Sequence, residues 1–450
     1  MNKPLSFSQS IWVLLAIFAI LFPALFWGKV EPHMPLFGAA IAAAILLRIF
    51  GIPWKQMEEG IIKGIQSAIA PILILCLIGI LIGVWMMSGT VPTILDYGIA
   101  VIRPEYFTIS ALFLTIIVST VTGSSFTTIS TVGVALMGVS TALGLDPLMT
   151  SGAIITGACF GDKMSPLSDT TNFAAAISDV TLMTHIRYMT HTAIPALAIA
   201  TIFFALQGKT AHVNLDAIQD IRLALEQHFT LGPVTLLPAA VVLICSALRK
   251  PIVPTLVFGI LSGLLVAALV QGVHSPVVWM EVMQKGFVSN IPNEAVQAIV
   301  NRGGLLSMTW SLALILIALS LGGLLQSSGV FQGLFAGLIE RIKRDAGMVG
   351  LAGSSSILVN VLTGEQYLSI LLPGQMFHDA FVSRKIAGRR LSRTLEDCGT
   401  LVNPLIPWGV SGAFFTTTLH VPTLDYLPYV PYLWLSPALT FLFAWRRQKA

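Results

Sequence analysis

Long apolar runs separated by short polar connections dominate the sequence. Ten runs have about the length of a membrane-spanning helix, and they are residues 11–28, 34–50, 68–88, 105–121, 184–206, 231–248, 252–271, 303–327, 347–362 and 430–445. A helix needs roughly 20 apolar residues to cross the hydrocarbon layer. The pattern therefore predicts an all-α polytopic membrane protein. Because no small-residue cleavage site follows the run 11–28, we expect it to be retained as the first helix.

The composition supports this prediction and excludes several other classes. Of 450 residues, 55% are hydrophobic and 10% are charged, whereas a soluble domain carries about 25% charged residues. The sequence contains no phosphate-binding loop, and its four cysteines are not spaced as a disulfide framework or a zinc site. We therefore expect no cofactor and no nucleic-acid partner, and the lipid bilayer as the surroundings.

Short motifs recur in the same order along the chain. The recurring pairs are 88–89 with 328–329, 122–123 with 363–364, and 161–167 with 399–405. Repetition at a nearly constant offset indicates a duplicated unit. We therefore predict two repeats, residues 1–206 and 231–450, joined by a polar linker of residues 207–230.

The placement of lysine and arginine predicts how the two repeats are oriented. Corresponding loops have opposite charge bias, because Arg103 stands alone in one loop whereas its counterpart contains Arg341, Lys343 and Arg344. Basic residues concentrate on the cytoplasmic side of a membrane. This distribution predicts inverted-topology repeats, an extracytoplasmic linker, and both termini in the cytoplasm of a bacterial inner membrane. Inverted repeats are typical of secondary transporters.

Polar segments interrupt two of the apolar regions. Residues 161–170 and 399–407 each contain a proline within a polar patch. Proline removes a backbone donor and disfavours helix at the preceding residue. Free backbone groups in a membrane must find partners inside the protein. We predict two broken helices that meet near the midplane, and unwound re-entrant tips at residues 122–128 and 363–366.

Four acidic residues lie in or beside these patches, namely Asp162, Asp169, Glu365 and Asp397. A carboxylate within the bilayer is costly and usually functional. Such a group can hold a proton or a cation in turn, and competition between the two produces antiport. Hydroxyl and amide oxygens suit a hard cation such as Na⁺, and the nearby ones belong to Ser124, Thr127, Ser165, Thr170 and Asn403. We expect Na⁺ at Asp162, Asp169, Ser165 and Thr170.

Structural roles for the same charges stay open at this stage. Lys163 could pair with Asp162 or Asp169 and form a purely structural ion pair. Asp169 could instead cap the following half-helix through its first-turn amides. Glu365 could lie at the cytoplasmic surface beside the basic loop of residues 384–393.

The stretch GDKMSPLSDTTN, residues 161–172, resembles the signature of NhaC-type Na⁺/H⁺ antiporters of the ion-transporter superfamily. It follows SGA at residues 151–153 and precedes THIR at residues 184–187. The resemblance implies inverted repeats, re-entrant hairpins, and an elevator-type transport part that moves past a scaffold. It also implies exchange of cytoplasmic Na⁺ or Li⁺ for external H⁺. By position, the resemblance gives an ion-site role to Asp162, Ser165, Ser168, Asp169, Thr170, Thr171 and Asn172.

We therefore expect a secondary active transporter that works by alternating access, with a homodimer left open as its assembly. Relatives with the same motif exchange malate and lactate together with H⁺ and Na⁺, so a small organic acid is an alternative partner. In such a carboxylate exchanger, or in an amino-acid transporter, Lys163 or Arg187 would meet the substrate carboxylate. An intramembrane aspartyl protease requires Gly-x-Gly-Asp, but residues 159–162 read Cys-Phe-Gly-Asp. We do not expect an enzyme, and buried acids at helix breaks favour a transporter over a channel.

Overall fold

The computed structural model describes residues 5–67, 69–101, 104–207 and 215–445. Within these ranges the chain is helical and contains no β-strand, which confirms the predicted all-α class. Several basic residues used in the topology prediction lie outside the described residues, namely Lys3, Arg103, Lys209, Arg446, Arg447 and Lys449.

In the described part of the chain, twelve α-helices precede residue 230. They are α1 (Phe7–Phe22), α2 (His33–Ile49), α3 (Trp54–Ser67), α4 (Ile69–Met87), α5 (Thr90–Val101), α6 (Phe107–Thr122), α7 (Ser125–Thr128), α8 (Val134–Ala142), α9 (Pro147–Met164), α10 (Asp169–Ile177), α11 (Leu182–Gln207) and α12 (Leu215–His228). Short π-helical turns extend α1 to Trp27 and join α7 to α8.

A second series of helices follows. They are α13 (Leu237–Ala247), α14 (Ile252–Leu269), α15 (Pro276–Lys285), α16 (Glu294–Val300), α17 (Thr309–Ser327), α18 (Val330–Arg341), α19 (Asp345–Thr363), α20 (Gln366–Ser383), α21 (Gly388–Leu395), α22 (Val410–Leu419), α23 (Thr423–Tyr426) and α24 (Pro431–Ala444). A π-helical turn, Glu396–Thr400, extends α21.

Seven helices in the described ranges are long and apolar enough to span a membrane, or up to nine if each of two bent helix pairs is one span. A helix lies within each of the ten predicted runs, so the predicted multi-pass character is confirmed. The sequence analysis missed the span Ser125–Ala142, 83% of which is buried inside the protein. Several of its hydroxyl groups bond to its own backbone, as in the 2.7 Å bond from Thr131 Oγ1 to the Thr127 carbonyl.

The four predicted interruptions are unwound in the structure. The chain turns through left-handed glycines at Gly123 (φ 65°) and Gly364 (φ 67°). Ser124 and Glu365 follow them as the N-caps of α7 and α20. The two proline-containing breaks fall between α9 and α10 and between Thr400 and α22. These positions confirm the predicted helix breaks, which lie close to the polar patches that suggested them.

Helices at corresponding positions in the two predicted repeats each pack against a helix of the other repeat. Helix α3 packs along α17, while α15 packs along α4. In the same way α2 packs on α17, and α14 packs on α4. The α3–α17 approach is close, because a Cβ at Gly64 would lie 2.2 Å from the carbonyl oxygen of Leu319. A two-fold relation between the halves would produce this exchange. The boundaries and inverted orientation of the repeats stay predictions.

A matched pair of glycines tests the requirement for the unwound tip after α6. Gly123 and Gly144 both have φ of 65°, but a Cβ at Gly123 would lie 2.6 Å from Leu167 Cβ, whereas one at Gly144 meets nothing within 4 Å. We expect Gly144→Ala to cost about 1–2 kcal/mol for backbone strain alone. Gly123→Ala should cost more, because the α9–α10 break must also move. Equilibrium unfolding in detergent checks this order, and equal losses would contradict it.

Candidate functional site

One cavity collects three of the predicted acids. It has a volume of about 330 Å³, and Asp162, Asp169 and Glu365 all line it. The three carboxyl groups come from the C-terminal turn of α9, the start of α10 and the N-cap of α20. Other lining residues include Thr122, Ser124, Phe126, Lys250, Gln366 and Tyr367. The helix breaks therefore meet around an acidic cavity.

Asp162 is held by one of its two carboxyl oxygens. Oδ2 accepts hydrogen bonds from the backbone N–H of Ser125 (3.0 Å) and from its hydroxyl (2.8 Å). Oδ1 is buried and has no hydrogen-bond partner among the described residues. A buried polar atom without a partner is costly. The free oxygen is thus suited to hold a proton or to coordinate a cation.

Asp169 reaches the cavity from the first predicted repeat, and Glu365 reaches it from the second. Asp169 is the first residue of α10 and accepts a hydrogen bond from the Tyr367 hydroxyl. Glu365 is 4% exposed, and its Oε2 accepts a 2.7 Å hydrogen bond from the Leu368 backbone N–H. The structural alternative for Glu365 is therefore wrong, and that for Asp169 holds only in part. Glu365 is not a surface ion-pair partner, and Ser168 is the N-cap of α10, although Asp169 Oδ1 does accept a 2.9 Å hydrogen bond from the first-turn N–H of Thr170.

Lys163, the neighbour of Asp162, turns away from the cavity into the interior. Its Nζ contacts Asp397 Oδ1, and both side chains are completely buried. The alternative in which Lys163 pairs with Asp162 or Asp169 is therefore wrong. Asp397 accepts three further hydrogen bonds, from the hydroxyls of Ser436 (2.8 Å), Thr192 (2.9 Å) and Thr440 (2.5 Å). This ion pair joins the two broken helices.

Several predicted ligands hold the breaks together instead of lining the acidic cavity. Ser165 Oγ donates to the Thr120 carbonyl (2.7 Å), and Thr170 Oγ1 donates to Glu396 Oε1 (3.2 Å). Thr171 Oγ1 donates to the Lys163 carbonyl (3.0 Å). The structure thus does not place Ser165 or Thr170 in the predicted Na⁺ shell, because neither residue lines the acidic cavity.

The remaining predicted residues have mixed positions. Ser124 lines the acidic cavity, and Thr127 lines an adjoining cavity together with Asn172. Asn403 is buried and donates to Asn360 Oδ1 (2.8 Å) and to the Gly364 carbonyl (3.0 Å), so it ties the second break to a re-entrant tip. Arg187 is exposed on α11 and does not line either cavity.

Four residues at the site were missed by the sequence analysis. Ser125 anchors Asp162, Tyr367 binds Asp169, and Lys250 lies at the cavity wall. Glu396 is completely buried beside Asp397. The hydroxyl-rich patch at residues 122–128 could have indicated Ser125. The rarity of charge in apolar segments applies to Glu396 as much as to Asp397. Tyr367 and Lys250 follow no motif, since only the tertiary fold brings them to the acids.

The fold and the site define a polytopic, all-α membrane protein with a carboxylate-lined cavity at its helix breaks. Residues 157–446 match the model of the Na⁺/H⁺ antiporter family. The chain belongs to this family, and the resemblance seen in the sequence is confirmed.

Full-length relatives support the same membership. The chain is similar to the Na⁺/H⁺ antiporter NhaC of Alkalihalophilus pseudofirmus, with 48% identity over 99% of this chain and 96% of the relative. It is 43% identical to the Na⁺/H⁺ antiporter NhaC of Bacillus subtilis over 98% of both chains. A malate-2H⁺/Na⁺-lactate antiporter of Bacillus subtilis is 33% identical over 90% of this chain and 86% of the relative.

The buried ion pair generates a stability prediction. Lys163→Met should destabilise the protein by about 3–5 kcal/mol, because it leaves the Asp397 carboxylate buried without its cation. Lys285→Met is the matched control, since Lys285 pairs with Glu281 on an exposed helix face, where ion pairs contribute little. Unfolding of both variants in detergent measures the difference. A loss no larger for Lys163→Met than for Lys285→Met would contradict the structural role of the pair.

Proposed function

We propose that the protein is a secondary transporter, not an enzyme, and that it exchanges cytoplasmic Na⁺ or Li⁺ for external H⁺. The observation that carries this proposal is the convergence of Asp162, Asp169 and Glu365 on one cavity. Two separate helix breaks supply these three acids, which is a costly arrangement unless the carboxylates bind something. The names of two full-length relatives support the same ions.

The chemistry rests on competition at Asp162. An ionised carboxylate away from water needs a counterion, and without one it takes up a proton. Na⁺ prefers oxygen ligands, and the carboxylates of Asp162, Asp169 and Glu365 with the Ser124 hydroxyl supply them. Entry of Na⁺ then expels the proton, and return of the proton expels Na⁺. The site cannot hold both at full occupancy, so the two fluxes are coupled.

Alternating access requires a path to each side of the membrane. The acidic cavity is bounded by Lys250 and Pro251 between α13 and α14, a turn that faces the cytoplasm in the proposed orientation. A second cavity of about 640 Å³ is lined by Lys29, Glu31, Pro407 and Asp425. In that orientation Lys29 is extracytoplasmic. The second break therefore borders both cavities, because Val410 lines the first and Pro407 lines the second.

The wider arrangement follows from the same proposal. We propose inverted repeats at residues 1–206 and 231–450, an elevator-type movement of the broken helices past a scaffold, and cytoplasmic termini in a bacterial inner membrane. The exchanged packing of α2 and α3 with α17, and of α14 and α15 with α4, supports the two-fold relation.

A carboxylate-coupled exchanger is the second candidate, and one observation favours it. Arg249 and Lys250 line a cavity of about 340 Å³ that adjoins the acidic one and shares Ser124 with it. An organic anion could bind this basic pair while Na⁺ occupies the acids. Lys163 does not serve this role, because it is buried against Asp397.

Liposomes test the two candidates together. We expect external Na⁺ or Li⁺ alone to drive proton efflux from acid-loaded proteoliposomes that contain a pH-sensitive dye, with no response to choline. Malate or lactate should add nothing. Proton efflux that appears only when malate or lactate is present, and that Lys250→Gln removes, would replace the first candidate by the second.

A substitution at the first acid tests the site itself. Asp162→Asn should reduce Na⁺-driven proton flux to the level of empty liposomes, because an amide carries no exchangeable charge at the free oxygen. Asp379→Asn is the control, since this carboxyl group is exposed on α20 outside the cavity. Full Na⁺-dependent exchange in Asp162→Asn would rule out the assigned role.

A further inference from the structure

A second buried carboxyl group lies behind the acidic cavity. Glu396 is 0% exposed and is not among the residues that line the cavity. Its Oε1 accepts a hydrogen bond from the Thr170 hydroxyl at 3.2 Å. Its Oε2 is buried and has no hydrogen-bond partner among the described residues.

The contrast with the adjacent Asp397 is sharp. Asp397 binds the Lys163 ammonium group and accepts three hydroxyl hydrogen bonds, which is the environment of an ionised carboxylate. Glu396 is equally buried, but its donors among the described residues are neutral hydroxyl groups, those of Thr170 at 3.2 Å and of the nearby Thr400. An ionised group so poorly solvated is costly, whereas a neutral carboxylic acid costs much less.

The charged and titratable groups near Glu396 leave it without an ion pair of its own. They come from α9, α21, the turn after α21, and α24, and they are Asp162, Lys163, Arg393, Asp397 and Tyr432. Lys163 is committed to Asp397. Arg393 lies over the Tyr188 ring, 4.5 Å from its centroid, and makes no ion pair within the described chain.

Along two chain segments, a residue that lines the cavity is followed directly by a residue that contacts Glu396 or its neighbour Asp397. On α9, Asp162 faces the cavity, and the next residue, Lys163, contacts Asp397 in the protein interior. At the start of α10, Asp169 faces the cavity and Thr170 binds Glu396. A movement of the α9–α10 break therefore changes the surroundings of Glu396 and of the cavity acids together.

We propose that Glu396 is a second proton-binding site, which carries a proton across the membrane in addition to the one displaced by Na⁺ at the cavity. This inference rests on the proposed Na⁺/H⁺ exchange. Facing outward, Glu396 takes up one proton and the cavity acids together take up another. Facing inward, both protons are released, and Na⁺ binds at the cavity for the return. Each cycle then moves about two protons inward for one Na⁺ outward, so it carries one net charge and responds to the membrane potential.

The membrane potential supplies the test. Proteoliposomes are prepared with equal Na⁺ and equal pH on both sides, and a potential is imposed with K⁺ and valinomycin. We expect the unmodified protein to move ²²Na⁺ and protons in opposite directions under this potential alone. Glu396→Gln should still exchange under a Na⁺ gradient but should ignore the potential, because its exchange is one-to-one. Glu396→Asp keeps a titratable group and should keep the response.

Each outcome bears on a different claim. A potential-driven flux in Glu396→Gln equal to that of the unmodified protein would overturn the proposal, and so would an unmodified protein that exchanges but ignores the potential. An unmodified protein without exchange under any Na⁺ or pH gradient would instead refute the proposed function.

Infrared spectroscopy tests whether Glu396 carries a proton, and it does not require a transport assay. A carboxylic acid C=O band should disappear in purified Glu396→Gln. The same band should shift to higher frequency in Thr170→Val, which removes the Thr170 hydrogen bond to Glu396 but keeps its carboxyl group. A spectrum in which Thr170→Val leaves every such band unchanged would overturn the proposal even if Glu396→Gln does not fold.

Discussion

The buried ion pair between Lys163 and Asp397 is the interaction on which the site depends. Two charges removed from water require each other, and they also require donors for the remaining lone pairs. Asp397 obtains these donors from Thr192 on α11 and from Ser436 and Thr440 on α24. The pair therefore fixes the second broken helix against the first and packs both against the two long helices that follow the breaks.

This anchoring divides the break between α9 and α10 into two faces. Asp162 and Asp169 point to the cavity, while the residues that follow them, Lys163 and Thr170, point to the interior. An uninterrupted helix turns by about 100° per residue, so adjacent positions naturally separate in this way near its end. The unwound segments then need partners for their backbone groups. Asn403 supplies some of them, since it receives the Ser411 N–H at 2.7 Å and donates to the Gly364 carbonyl.

Most of the fold could be predicted from the sequence because the cost of placing backbone polar groups or charges in lipid depends on the local sequence. Apolar runs of sufficient length must be helices in a membrane, and proline with polar residues inside them marks the breaks. The acids Asp162, Asp169 and Glu365 stood out because charge is rare in such segments. The span Ser125–Ala142 was missed because its hydroxyl groups resemble a polar loop, although several of them bond to the helix backbone.

The details of the site needed the tertiary structure. Lys163 and Asp397 are 234 residues apart, and nothing local distinguishes Asp397 from Asp162 as the partner of Lys163. The directions of Ser165 and Thr170 were also not predictable, because a helix break removes the periodicity that would assign them to a face. For the same reason Glu396 attracted no attention beside Asp397, although its carboxyl group is the less satisfied of the two.

The central claim is that Na⁺ and H⁺ compete for the same carboxyl groups, and Na⁺ binding to the purified protein tests it most directly. Binding of ²²Na⁺ in detergent would be measured across a pH series, together with the protons released into weakly buffered solution. The account predicts that Na⁺ binding releases protons and that the apparent affinity rises with pH, by about tenfold per pH unit for each proton displaced. Na⁺ binding that releases no proton and has the same affinity at every pH would contradict it.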